Sequence, residues 1–211
     1  MIPRLVVLAS GSGSNLQAIL DATRAGTVEA AVVAVISDRA DAYALTRASA
    51  AGIPTVHLPR RPDEERKAYD HRLAETVARF DPDLVVLAGW MRLLTMAFLG
   101  DHPQRVINLH PALPGEFPGV RAIERAWEEH QTAGRTETGV MVHLVPDEGV
   151  DDGPVLATAR VPIYPDDTLA ALTERVHEAE HRLLVATVAD RCAQISRRAT
   201  LVPTSPNGQG G

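Results

Sequence analysis

Cysteine, aromatic residues and long hydrophobic runs are all scarce in this sequence of 211 residues. Cys192 is the single cysteine, so no intramolecular disulfide can form, which is typical of proteins from a reducing compartment such as the cytoplasm. No apolar run approaches the roughly 20 residues that a membrane-spanning helix needs. The amino-terminal apolar stretch is too short for the hydrophobic region of a secretory signal. These absences predict a soluble, cytoplasmic protein.

The sequence also has no excess of positive charge. Its 21 Lys and Arg residues face 27 Asp and Glu residues, which gives a formal net charge of -6, and it contains two Trp and three Tyr residues. Nucleic-acid-binding proteins usually combine clustered basic residues with aromatic side chains that stack on bases. We therefore expect small-molecule ligands, with neither nucleic acid nor a membrane as a partner.

Apolar runs with strand character alternate with helical patterns over most of the chain. The runs RLVVLAS, AAVVAVIS and DLVVLAG are apolar at nearly every position, as in parallel strands covered by helices on both faces. Later, TGVMVHLV and GPVLATARVPIY flank an acidic turn and predict an antiparallel pair, and a long amphipathic helix follows from Asp167. We predict one α/β domain over residues 1–190, with a doubly wound, Rossmann-like, mostly parallel sheet and an antiparallel extension in its second half. Residues 191–211 are expected to form a flexible tail.

The stretch ASGSGSNLQAIL places Gly11 and Gly13 between a strand end and a helix that should start near Asn15. Backbone N–H groups at such a helix start, together with the positive end of its dipole, suit a phosphate. Leu16 replaces the third glycine of the dinucleotide fingerprint, which disfavours a dinucleotide cofactor. A phosphate site and a plain capped turn both remain open. Asp38, after the second strand, could contact a ribose or simply open a turn.

The stretch RVINLHP ends a strand with Asn108 and His110, which point to the same face because they are two residues apart. Acyl transfer to an amine needs an oxyanion donor, a proton carrier and a group that orients that carrier. An amide, an imidazole and a carboxylate from the acidic turn PDEGVDDG would meet these needs. A purely structural polar pair beside a Pro-rich turn is the alternative.

The stretch HEAEH, from His177 to His181, satisfies the H-E-x-x-H pattern of zinc hydrolases. After His181 the sequence contains no His or Glu that could complete the ligand set, and Asp190 is its last carboxylate. We therefore interpret the pattern as a chance match and expect no metal.

Four motifs occur in one order along the chain: SGSGSNLQAIL, VVLAGWMRLL, INLHP and DEGVDDGPV. Together they resemble the folate-dependent glycinamide ribonucleotide formyltransferase family of purine biosynthesis, from about Leu5 to about Ala189. The resemblance implies transfer of a formyl group from 10-formyltetrahydrofolate to the amine of glycinamide ribonucleotide. The products would be formylglycinamide ribonucleotide and tetrahydrofolate, and no metal would be needed.

The resemblance also implies roles for individual residues. Asn108 would hold the oxyanion, His110 would act as acid and base, and Asp151 would tune His110. The ribonucleotide would be bound at its phosphate by Gly13, Ser14 and Asn15, and elsewhere by His177 and Glu180. The folate would be contacted by Arg66, Met91, Arg92, Leu93, Leu94, Asn108, Pro146, Asp147 and Asp151. The plainer alternatives are a core-packing segment at Met91, a solvated helix charge at Arg66 and an exposed hairpin loop at the acidic turn.

One stretch departs from the family pattern. In ALPGEFPG, Pro114 comes one position early and Gly115 stands where Pro is expected, which leaves open the geometry of this turn and a cis bond before a proline. Formyltetrahydrofolate deformylase carries an extra amino-terminal domain, and methionyl-tRNA formyltransferase an extra carboxyl-terminal one, for which we expect no room here. The deformylase and a non-catalytic phosphate-binding module remain alternatives, as do monomer and homodimer.

Overall fold

The computed structural model describes residues 1–201. The strands are β1 (Arg4–Leu8), β2 (Ala31–Ser37), β3 (Thr55–His57), β4 (Leu84–Leu87), β5 (Val106–His110), β6 (Glu137–Leu144) and β7 (Val155–Pro162). The helices are α1 (Ser14–Arg24), α2 (Tyr43–Ala50), α3 (Arg66–Ala78), α4 (Met96–Leu99), α5 (Ala122–Ala133) and α6 (Leu169–Leu201).

The seven strands form one sheet in the order β3-β2-β1-β4-β5-β6-β7. The pairs from β3 to β5 are parallel, whereas β5 with β6 and β6 with β7 are antiparallel. The predicted doubly wound α/β fold with an antiparallel extension is confirmed. None of the helices that the structure describes is both long and apolar enough to cross a membrane.

Strand β1 shows why its sequence is apolar at nearly every position. Leu5 and Val7 pack into the core that contains residues of α1, α2 and α6, while Val6 and Leu8 pack into the core on the opposite face, formed with α3 and α4. Side chains alternate between the two faces of a strand, so burial on both faces requires a continuous apolar run.

Helix α6 corrects the predicted boundary of the flexible tail. It continues through Leu201, so residues 191–201 are helical rather than a flexible tail. The apolar stripe extends past residue 190, because Val188 and Cys192 are buried and Ile195 packs against the same core at helical spacing. The rest of the expected tail, residues 202–211, lies outside the described residues.

The strand order places a switch point at the centre of the sheet. β1 lies between β2 and β4, so the loop after β1 and the loop after β4 leave the carboxyl edge of the sheet side by side. In open α/β sheets this edge, at the point where the strand order reverses, is where ligands bind.

Candidate active site

Three predicted residues meet beside β5. Asn108 and His110 lie on this strand, and Asp151 reaches them from the turn between β6 and β7. Asn108 Nδ2 donates to Asp151 Oδ1 at 3.0 Å, and His110 Nδ1 lies 3.3 Å from Asp151 Oδ2. The structure therefore brings the amide, the imidazole and the carboxylate into direct contact.

The buried imidazole of His110 faces an acceptor on each side. Its Nε2 lies 3.1 Å from the carbonyl oxygen of Phe117, and because a carbonyl can only accept, Nε2 carries the hydrogen. In the neutral ring Nδ1 is then unprotonated and faces Asp151. Burial lowers the pKa of His110, against the opposing effect of the Asp151 charge. The imidazole is thus neutral near pH 7 and has a carboxylate in place to stabilise its protonated form.

The carboxylate of Asp151 is held by several groups. Besides the amide of Asn108, it accepts the backbone N–H of Gly119 at 2.8 Å and lies 3.5 Å from Nε2 of His143. Burial by itself raises the pKa of Asp151, but the hydrogen bonds from His143 and Gly119, with the nearby imidazoles, bring that pKa below its ordinary value. Its backbone φ of 54° is left-handed, a conformation that is uncommon outside glycine but that Asp adopts more readily than most residues. The carboxylate is therefore ionised and rigidly placed.

The buried side chain of His143 belongs to the same cluster, although sequence reasoning missed it. Its Nε2 lies 3.1 Å from Nδ2 of Asn108, and its Nδ1 lies 2.8 Å from the carbonyl oxygen of Leu144. The available signal was a lone histidine in the otherwise apolar run GVMVHLV. Its importance depends on strand register, which pairs it directly with Asn108.

The turn after His110 contains the departure noted in its sequence. Gly115 has a φ of 80°, in the region that favours glycine, and Phe117 follows with a φ of 45°. The described residues contain no cis peptide bond. This backbone path ends with the Phe117 carbonyl against His110, so the turn helps to orient the imidazole.

A cavity of about 430 Å³ opens beside the cluster. Apolar side chains form much of its wall, including Leu87, Val145 and Val150. Seven of the predicted folate-binding residues line it, namely Met91, Arg92, Leu93, Leu94, Asn108, Asp147 and Asp151. Pro146 is outside that lining, and Arg66 lines an adjoining cavity of about 240 Å³ that shares Met91, Arg92 and Leu93.

Arg66 supports the cavity wall in this structure. Its guanidinium donates to the carbonyls of Leu93 and Leu94 at 3.1 Å each, and it lies 3.7 Å from the carboxylate of Glu148. Glu148 in turn accepts the backbone N–H of Met96 at 3.0 Å. The side chain of Arg66 remains half-exposed, so it can meet an anionic group at the cavity mouth while it holds the wall.

The loop between β1 and α1 leaves backbone donors free. Gly13 caps α1 with a φ of 71°, and no side chain caps the first turn, which starts at Ser14. The first N–H groups of a helix have no partner within that helix, so they are available to a ligand. Arg47, which the sequence did not single out, donates to the carbonyl of Ser12 at 2.8 Å and adds positive charge beside the loop.

Helix α6 contacts this loop through Glu180. The Glu180 carboxylate is 6% exposed and accepts a hydrogen bond from Nδ2 of Asn15 at 3.2 Å. Burial raises its pKa to about 7, against the opposing effect of the Asn15 hydrogen bond. The neighbouring Arg175 and Arg182 pair with other acids. The structure thus joins two segments that sequence reasoning assigned to one ligand.

Similarity to known proteins supports a single family. The sequence model described as "Formyl transferase" matches residues 3–188. The chain belongs to the formyl transferase family. The phosphoribosylglycinamide formyltransferase of Schizosaccharomyces pombe is 49% identical over 200 residues, which cover 89% of this chain and 96% of that protein. The corresponding Escherichia coli enzyme is 42% identical, over 85% of this chain and 82% of its own length. This confirms the predicted family and the prediction of an enzyme, a formyltransferase.

Solved structures of formyl transferase proteins have the same fold as this chain. The glycinamide ribonucleotide transformylase 1 of Symbiobacterium toebii superimposes with a TM-score of 0.86 at 41% identity, over 92% of this chain and 89% of that one. The phosphoribosylglycinamide formyltransferase of Coxiella burnetii gives a TM-score of 0.84 at 41% identity, over 92% and 89% of the two chains.

The HEAEH segment of this formyl transferase lies on α6. Residues 1–201 contain no group of three or more His, Cys, Asp or Glu side chains that could hold a metal ion. His177 is exposed, whereas Nε2 of His181 is buried with no hydrogen-bond partner among the described residues. Glu180, within this segment, bonds to Asn15 in the first turn of α1, directly after the loop that follows β1.

Proposed function

We propose that this formyl transferase moves the formyl group of 10-formyltetrahydrofolate to the amine of glycinamide ribonucleotide, giving formylglycinamide ribonucleotide and tetrahydrofolate. The observation that carries the proposal is the cluster of Asn108, His110 and Asp151 beside an apolar cavity. The names of the similar proteins supply the acceptor and the transferred group, and the resemblance in the sequence motifs supplies the folate donor. The proposed catalytic unit is a single domain, and small molecules are its proposed partners.

The donor would enter the cavity of about 430 Å³. Its heterocycle has broad faces that can pack on apolar side chains and an edge rich in hydrogen-bonding groups, which suits apolar walls beside the acidic turn. When bound, it supplies the formyl group. The residues proposed to hold it are Arg66, Met91, Arg92, Leu93, Leu94, Asn108, Pro146, Asp147 and Asp151.

His110 is the proposed proton carrier. Its neutral ring accepts a proton from the attacking amine as the new bond between carbon and nitrogen forms, and it returns a proton to the leaving amine. Asp151 lies 3.3 Å from Nδ1 and stabilises the imidazolium while it exists. A neutral base next to a fixed carboxylate avoids the cost of keeping a buried imidazolium in the resting enzyme.

Asn108 is the proposed oxyanion donor. Its Nδ2 hydrogens face Asp151 at 3.0 Å and His143 at 3.1 Å. To stabilise the developing negative charge, the amide must share one of these hydrogens with the oxyanion.

The ribonucleotide would bind across the loop after β1 and helix α6. Gly13, Ser14 and Asn15 would bind its phosphate through the backbone N–H groups that the helix start leaves free. His177 and Glu180 would contact the rest of the molecule. Glu180, whose pKa is raised to about 7, would gain hydrogen-bond donors from the ligand.

The decisive experiment mixes purified protein, 10-formyltetrahydrofolate and glycinamide ribonucleotide and follows the formylated ribonucleotide by mass spectrometry. We expect this product in stoichiometric amount with tetrahydrofolate. Release of formate without the ribonucleotide would instead indicate a deformylase. Binding of the ribonucleotide without turnover would indicate a non-catalytic module.

A further inference from the structure

Asp38 lies at the end of β2 and uses both carboxylate oxygens inside the protein. Its side chain is 6% exposed. Oδ1 accepts the hydroxyl hydrogen of Ser10 at 2.7 Å, and Oδ2 accepts Nε of Arg92 at 2.7 Å. This arrangement argues against the ribose contact that the sequence left open, because the carboxylate already has two strong partners.

Ser10 connects this pair to the backbone after β4. The side chain of Ser10 is buried, and its hydroxyl accepts the backbone N–H of Met91 at 3.0 Å while it donates to Asp38. The backbone N–H of Ser10 also donates to the carbonyl of Gly89 at 3.0 Å. Arg92 lies over the ring of Tyr69 at 5.2 Å, which limits the motion of its guanidinium.

The network joins the two loops on which the proposed substrates meet. Ser10 directly precedes Gly11, where the proposed phosphate loop begins, and Met91 and Arg92 line the proposed donor cavity. We propose that Asp38 is a positioning residue that fixes the donor wall at Met91 and Arg92 against the loop after β1. This inference rests on the proposed function, because the proposed function identifies the molecule that the wall would bind, the formyl donor.

Two substitutions cut the network at different points. Asp38→Asn offers one acceptor oxygen where the network uses two, so either Ser10 or Arg92 loses its partner and the amide hydrogens face donors. Ser10→Ala keeps the pair of Asp38 and Arg92 but removes the acceptor of the Met91 N–H. In both variants the wall is released, while the catalytic cluster on β5 is untouched.

A matched control is available in the same turn. Asp41 lies three residues after Asp38; its side chain is 79% exposed, and among residues 1–201 its one ion pair is with the exposed Arg39 at 3.5 Å. Asp41→Asn removes the same charge at nearly the same place without touching the network. We expect this variant to behave as the wild type in every assay.

The test is steady-state kinetics with 10-formyltetrahydrofolate and glycinamide ribonucleotide varied separately, on variants whose folding is verified by circular dichroism. We expect Asp38→Asn and Ser10→Ala to raise the KM for the donor about tenfold, the typical effect of one lost charge-assisted hydrogen bond. The KM for the ribonucleotide and kcat should change less than threefold. A purely structural role would instead lower the active fraction, and so kcat, without raising the donor KM.

Different results would refute the positioning role and the proposed function. A donor KM within threefold of the wild type in the folded variants would overturn the positioning role, and so would an equal rise in Asp41→Asn. If Asp38→Asn does not fold, Ser10→Ala decides by the same threshold. Failure of the wild-type enzyme to form the formylated ribonucleotide would refute the proposed function, and with it the substrate assignment on which this inference rests.

Discussion

Replacing Glu180 by Gln tests the electrostatics of the loop contact directly. The pKa of Glu180 is raised from 4.5 to about 7 by burial, so the folded protein binds this proton more tightly than the unfolded chain does. The contribution of this proton to the stability of the folded state is full below about pH 4.5 and is lost as the pH rises through about 7. At about 1.4 kcal/mol for each pH unit between the two values, the change amounts to about 3 kcal/mol.

Gln has nearly the same shape as the protonated carboxyl and does not ionise. Urea denaturation at pH 4, 6.5 and 8 should therefore show the variant nearly equal in stability to the wild type at pH 4. At pH 8 it should be more stable by about 3 kcal/mol. Glu178→Gln is the control, because that exposed carboxylate on the same helix pairs with Arg182 and should change stability by less than about 1 kcal/mol at any pH. A stability difference between Glu180→Gln and wild type that does not depend on pH would refute the reasoning.

Four further predictions concern the reaction and its ligands. His110→Ala should lower kcat by about 100-fold or more with little change in either KM, and a kcat within twofold of wild type would exclude the proton-transfer role. Asp151→Asn should move the acidic limb of the pH dependence of kcat/KM to lower pH, because the carboxylate raises the pKa of His110; an unmoved limb contradicts this. Gly11→Ala should leave the melting temperature unchanged, since a Cβ there meets nothing within 4 Å, yet raise the KM for the ribonucleotide. Gly13→Val does not suit this test, because a Cβ at Gly13 would meet the Cα of Ala44 at 2.7 Å and disturb folding. EDTA should leave activity intact and elemental analysis should find no stoichiometric zinc; one zinc per chain would overturn the metal-free mechanism.

The sheet and its switch point could be predicted from local sequence because burial on both faces leaves a simple signature. A strand covered by helices must be apolar throughout, as β1 and β4 are, and two apolar runs joined by an acidic turn indicated the antiparallel part. The carboxyl end of helix α6 was harder to predict from the sequence. Arg197 and Arg198 gave a polar appearance to its last turns, while Cys192 and Ile195 continued the buried stripe at helical spacing.

The residues of the candidate site also fall into those that the sequence could predict and those that it could not. Asn108 and His110 could be paired from sequence because two residues on one strand share a face without any tertiary information. His143 could not, since its contact with Asn108 depends on the register between β5 and β6. Asp38 is separated from Arg92 by 54 residues, and only the folded sheet brings their side chains to 2.7 Å.

The position of β1 between β2 and β4 has a consequence for the order of folding. Its ladder with β2 joins segments close in sequence, but Leu5 pairs with Leu84 in the second ladder, and the backbone N–H of Arg4 reaches Asp83 across 79 residues. Closing so long a loop costs entropy before any contact forms, so non-local strand pairs assemble late. During synthesis one edge of β1 therefore remains unpaired until β4 has been made. We expect the loop after β1 to acquire its final shape only then, so a chain cut before β4 should not bind the ribonucleotide at the proposed site, even though every residue of that loop is present.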